Sequence, residues 1–108
     1  MNESNFNQLI DDTLLAIEEA IDQLETDIDY DTVAGILTVE LANHSKIIIN
    51  RQIANHQLWL AAKSGGYHFN WIHKQWLETK SGLSLSEVLS KNLTMQANQN
   101  IILSIQPK

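Results

Sequence analysis

The residues best equipped for chemistry in this chain are carboxylates. Asp11, Asp12, Glu18, Glu19, Asp22, Glu25, Asp27, Asp29 and Asp31 fall in one stretch, DDTLLAIEEAIDQLETDIDYD, and no Lys or Arg precedes Lys46. At about 100° per residue, Asp11, Glu18, Asp22 and Glu25 line one stripe of a helix, with Asp12 and Glu19 beside it. Like charges four residues apart, such as Glu18 and Asp22, cost a helix about 0.2–0.5 kcal/mol per pair. Oxygen ligands on an open surface suit hard cations, held weakly, at several sites and with little selectivity. An acidic outer helix face is usually only solvated. Here no lysines interleave to form i,i+4 pairs, and the acids continue past the helix. The stripe is therefore expected to attract a divalent cation or a basic protein surface.

A second constellation is uncharged. Alternation along two expected strands turns Asn50, Gln52, Gln57 and Trp59 to one side. A tryptophan among amides on a sheet surface has the composition of a protein-contact hot spot. The alternative is that another strand or loop covers it.

No enzyme motif accompanies these groups. Gly35, Gly65, Gly66 and Gly82 form neither a P-loop nor a dinucleotide fingerprint. His44, His56, His68 and His73 lack the spacing of a metal pair and read as structural or solvated. With no cysteine there is no disulfide, thiolate nucleophile or cysteine-ligated cluster. The expected protein is not an enzyme.

Charge narrows the partners. Residues 1–45 hold eleven acids and no base, whereas residues 46–108 hold seven bases and two acids; the net charge is −6. Phosphate repels such a ridge, which argues against nucleic acid. The longest apolar runs, Ile47–Ile49 and Leu58–Ala62, are too short to span a bilayer. MNESNF carries neither a secretory nor a transit pattern, so a cytoplasmic location is expected.

The elements that must position these groups follow from periodicity. One domain over residues 1–108 is expected, with a real core. A first helix, capped by Asn2 or Ser4, is expected to run to about Leu24, with Phe6, Leu9, Ile10, Ile17, Ala20, Ile21 and Leu24 facing inward. The period becomes two from Asp27, with Ile28, Tyr30 and Thr32 opposite Asp27, Asp29 and Asp31. Strands follow over Ile36–Leu41, Lys46–Gln52, Gln57–Ala62, Tyr67–Ile72 and Gln75–Glu78, with tight turns at Ala34-Gly35 and Ser64-Gly65-Gly66. Ser84-Leu85-Ser86-Glu87 reads as a capping box opening a helix to about Gln96. The apolar tail Ile101, Ile102, Leu103, Ile105 is expected to lie in the groove between the helices. The sum is an α+β fold, a two-layer sandwich with two helices on one face of a five- to six-stranded antiparallel sheet.

Three segments carry a resemblance: Ser45-Lys46-Ile47-Ile48-Ile49-Asn50-Arg51-Gln52, His56-Gln57-Leu58-Trp59-Leu60-Ala61 and Gly65-Gly66-Tyr67-His68-Phe69. Together with Ile17-Glu18-Glu19, Trp76 and Ser81-Gly82, they strongly resemble the core signature of bacterial frataxins. The resemblance implies that Glu18, Glu19, Asp22, Glu25, Asp27, Asp29 and Asp31 bind iron, Fe2+ or Fe3+, weakly at the surface, with other divalent cations as substitutes. It implies regulation of iron–sulfur cluster assembly, or iron donation to it, by docking on a cysteine desulfurase and its scaffold protein. Asn50, Gln52, Gln57 and Trp59, with Glu18 and Asp22, would form the partner surface. A monomer is expected, with iron-dependent oligomers as an option. The rival reading is a metal-independent acidic module that modulates the desulfurase or another basic partner. Three departures stand out. Ala54 replaces a usual loop proline, Asn70 replaces a frequent acid, and the connection around Thr26 is short, which shifts weight toward Glu18, Glu19 and Asp22.

Overall fold

The computed structural model describes residues 1–105; residues 106–108 of the expected domain lie outside the described residues. Helix α1 spans Glu3–Asp22 and is capped by Asn2, whose side chain accepts the Asn5 amide at 2.7 Å. Phe6, Ile10, Ile17, Ala20 and Ile21 are buried at helical spacing. The helix ends short of Leu24. Asp22 and Glu25 are unfavourable against the negative end of the helix dipole, and no base offsets them in the last turn.

Six strands follow in order: β1 Ile28–Val33, β2 Ile36–Leu41, β3 Lys46–Gln52, β4 Gln57–Ala62, β5 Gly65–Ile72 and β6 Gln75–Glu78. Their spatial order equals their chain order, and every pairing is antiparallel. Ala34 and Gly35 both have positive φ, 53° and 76°, as a two-residue type I′ turn requires. The β4–β5 turn is tighter than expected. Gly65 and Gly66 already pair with Ala62 and Ala61, so only Lys63 and Ser64 turn the chain.

Helix α2 spans Leu85–Ala97, and its capping box is complete. The Ser84 hydroxyl accepts the Glu87 amide, and the Glu87 carboxylate accepts the Ser84 amide. Leu85, Val88, Leu89 and Leu93 join Leu37, Val39, Ile47, Ile49, Leu58, Leu60 and Phe69 in a core that α1 also shares. Both helices therefore cover one sheet face.

The tail docks as expected, through a device that periodicity did not announce. Ser86, Ser90 and Thr94 place hydroxyls along one side of α2. The amides of Ile105, Leu103 and Ile101 donate to them at 3.1, 2.8 and 3.0 Å, and the Ser90 and Thr94 hydroxyls donate back to the Leu103 and Ile101 carbonyls. Ile101 and Leu103 are buried, while Ile102 points outward. Ile105 shares the wall of a cavity of about 280 Å³ with Leu9 and Ala16 of α1, so the tail reaches the space between the helices.

Candidate functional site

Edge strand β1 runs beside the acidic stripe of α1. Its alternation sends Tyr30 and Thr32 toward the helix. The Tyr30 hydroxyl donates to both oxygens of Asp22, at 2.9 and 3.0 Å, and the Thr32 hydroxyl donates to Glu18 at 2.5 Å. The bond to Asp22 pushes the Tyr30 phenol above its ordinary range, because ionising it would place two negative charges together. These donors are neutral. They fix Glu18 and Asp22 without cancelling their charge.

The same alternation divides the expected metal set. Asp29 and Asp31 leave β1 on the opposite side, where they share a shallow hollow with Thr38, Glu40 and Lys46. Asp29 is cross-strand from Glu40, and Glu40 from Lys46. Glu25 and Asp27 are exposed in the connection from α1 to β1, and Glu19 is exposed on α1. Among the described residues, no three His, Asp or Glu side chains converge as a metal-ligand group.

One acid on the stripe does meet a base. Arg51 follows Ile47 and Ile49 in the inward register of β3. Its guanidinium donates to Asn7 at 2.9 Å and to Asp11 at 2.6 Å. The sequence reading saw no counter-charge for this stripe, because the base lies forty residues away along the chain. The alternation carried the signal, since an arginine placed inward must find an acceptor.

On the uncovered sheet face, Asn50 lies opposite Trp59 and Gln52 opposite Gln57. The structure thus brings all four expected partner residues together. Trp59 is half-buried rather than fully exposed. His68 stacks on it with ring centroids 4.2 Å apart and 12° between planes, and its indole N–H donates to Gln57 at 2.9 Å. Gln57 in turn donates to Asn70 at 3.1 Å. Among the described residues no strand covers Trp59, because all six strands belong to the one sheet. Sequence reasoning left His68 among the scattered histidines. Counting back from the Lys63-Ser64 turn puts it directly opposite Trp59.

Comparison with known proteins decides the family. The model of the frataxin-like domain matches residues 1–99. This chain belongs to the frataxin family. Two relatives bear the name iron-sulfur cluster assembly protein CyaY. The one from Vibrio cholerae is 46% identical and the one from Vibrio atlanticus 43%, each over 94% of this chain and 97% of the relative. Among solved structures, frataxin from Psychromonas ingrahamii superposes with a TM-score of 0.87 at 38% identity, covering 94% of this frataxin and 97% of that chain. A ferrous complex of trimeric frataxin from the yeast Saccharomyces cerevisiae has a TM-score of 0.67 at 25% identity, covering 92% of this frataxin and 88% of the yeast chain. The two-layer fold expected from periodicity is the frataxin fold. No described helix is long and apolar enough to cross a membrane.

Proposed function

We propose that this frataxin acts in iron–sulfur cluster assembly, as a non-catalytic protein that binds iron weakly along its acidic ridge and docks on a cysteine desulfurase and its scaffold. The observation that carries this reading is the bonding of Glu18 and Asp22 to neutral hydroxyls. Their position is fixed while their field stays intact for a cation or a basic surface. The names of the Vibrio relatives support the pathway, and the yeast ferrous complex supports iron as the cation. Asn50, Gln52, Gln57 and Trp59 offer the scaffold a surface with an aromatic anchor. Glu19, Glu25, Asp27, Asp29 and Asp31 extend the negative field on both sides of β1, which suits loose binding at several places better than one tight site.

The absence of three converging ligands among the described residues favours the rival: an acidic docking module whose effect on the desulfurase needs no metal. Desulfurase turnover with this protein added, with and without ferrous iron, separates the two. Iron-dependent modulation supports the first reading, and equal modulation in both arms supports the rival. The decisive variant is Glu18→Gln, Asp22→Asn, which keeps acceptors for Thr32 and Tyr30 and removes the charge. Calorimetric titration should show weaker binding of both ferrous iron and desulfurase. Ligands sharing one surface alter each other's affinity by an equal factor. Unchanged binding of both would leave the ridge a solvated face.

A further inference from the structure

The two edges of the sheet are finished differently. At β6, Leu77 bridges to Ser84 and the Glu78 amide donates to the Leu83 carbonyl, so the chain entering α2 covers that edge. β1 ends the sheet on the other side, and among the described residues no strand pairs beyond it. Natural edges are commonly blunted by charged side chains, lysine above all, by proline, by a bulge or by a covering segment. The only such device on β1 is the negative charge of Asp29 and Asp31, which repels acidic strands and not basic ones. β1 reads Ile-Asp-Tyr-Asp-Thr-Val, with no proline, no base and an unbroken register against β2.

That register fixes which backbone groups face outward. In a two-residue hairpin the flanking pair, Val33 and Ile36, exchanges hydrogen bonds, and pairs then alternate. Asp31–Thr38 and Asp29–Glu40 are bonded pairs, while Thr32–Leu37, Tyr30–Val39 and Ile28–Leu41 are not. The amides of Tyr30 and Thr32 and the carbonyls of Ile28, Tyr30 and Thr32 therefore point away from the sheet. The Ile28 amide is turned back onto the Thr26 carbonyl. Side-chain bonds from Tyr30 to Asp22 and from Thr32 to Glu18 hold this edge in place before any partner arrives.

We infer that the β1 edge is a strand-addition site for an extended basic segment of a partner protein. The main-chain groups of Tyr30 and Thr32 supply pairing, and the carboxylates on both sides supply selection. Asp29 and Asp31 flank the edge on the open face, and Glu18 and Asp22 on the helix face. A second copy pairing antiparallel would set these acids against their own kind, which is destabilising across strands. An incoming strand with alternating basic residues meets carboxylates instead. The site goes beyond the iron reading, since it requires neither iron nor a desulfurase.

The test uses the peptide acetyl-Lys-Val-Lys-Val-Lys-amide, a form of it N-methylated at alternate backbone nitrogens, and acetyl-Glu-Val-Glu-Val-Glu-amide. Binding is followed by amide NMR shifts and hydrogen exchange on the full chain. The basic peptide should bind and slow exchange of the Tyr30 and Thr32 amides at least tenfold. Methylation should weaken binding at least tenfold, and the acidic peptide should not bind. Thr32→Pro removes an outward amide without touching the ladder to β2 and should weaken the basic peptide likewise. Thr32→Val keeps the amide while losing the hydroxyl bond to Glu18, and should bind more tightly than Thr32→Pro. Equal binding of the methylated peptide, or unslowed exchange at Tyr30 and Thr32, would show charge attraction alone and overturn strand addition. Slowed exchange that grows with protein concentration without peptide would make the occupant a second copy and overturn the basic partner. Loss of iron or desulfurase binding in the Glu18→Gln, Asp22→Asn titration is a separate readout.

Discussion

Trp59 lies flat against His68 and is tied to Gln57, so only part of the indole is free for a partner. Trp59→Ala should cost folding about 0.5–1.5 kcal/mol for the lost aromatic pair, in addition to the burial of the half-buried indole. It should weaken association with a scaffold–desulfurase assembly by about 2 kcal/mol or more. Urea unfolding alongside calorimetric binding separates the two, and a stability loss exceeding the binding loss would make Trp59 a core residue. Arg51 ties β3 to α1 through Asn7 and Asp11. Its side chain is 16% exposed and that of its partner Asp11 61%. An ion pair this open gives at most about 1 kcal/mol, and the bond to Asn7 adds about as much. Arg51→Ala should therefore cost about 1–2 kcal/mol in urea, and Asp11→Asn clearly less. Glu78 shows a different residue-scale device. It is buried at the end of β6, and the backbone amides of Lys80 and Ser81 donate to it. Those bonds, the Lys80 amide foremost, hold its carboxyl below the usual range despite burial. The contribution is complete above the unfolded carboxylate value of about 4.3 and disappears as pH falls through the lower folded value. Unfolding midpoints measured downward from pH 6 should fall more steeply for wild type than for Glu78→Gln. An identical acid limb would remove Glu78 from that account.

Between α2 and the tail, hydroxyls replace a neighbouring strand. The i,i+4 spacing of Ser86, Ser90 and Thr94 matches three alternate residues of an extended chain closely enough for each hydroxyl to meet one amide. Truncation after Asn100 removes this ladder together with two buried members of the core, Ile101 and Leu103. Burial of Ile101 and Leu103 contributes up to about 1.5–3 kcal/mol each, so the melting temperature should drop markedly. An unchanged melt would mean that the tail does not stabilise the core. The β3–β4 connection offers a gain instead. The His56 amide bonds the Ile53 carbonyl at 3.2 Å, which makes Ala54 the second residue of a β-turn, where proline fits. Ala54→Pro gives up one exposed bond, from the Ala54 amide to Gln52. It should still raise stability by about 0.4–1 kcal/mol through the unfolded chain. Chemical denaturation decides, and a weaker variant would mean that the Gln52 bond outweighs the gain.

Across the whole molecule, the acidic first half concentrates negative charge around α1 and β1, offset locally where Arg51 of β3 reaches Asp11. Desulfurase association should slow as salt rises, since exposed charges beyond about 10 Å are screened at 0.1 M. A rate indifferent to salt would remove steering from the ridge. The layers and the strand series were legible in the chain, because burial imposes a period of 3.6 on α1 and α2 and of 2 on the strands, and the turn residues punctuate them. The uncovered face of Asn50, Gln52, Gln57 and Trp59 was legible for the same reason: alternation assigns sides before pairing is known. Pairing across the sheet and between layers was not. The stack of His68 on Trp59 needed the true length of the β4–β5 turn, and the Arg51–Asp11 pair needed α1 laid across β3. Above all, the acids read as one continuous ridge along the chain. Folding put Glu18 and Asp22 on one side of β1 and Asp29 and Asp31 on the other, because a strand sends neighbouring side chains to opposite faces while a helix gathers them onto one.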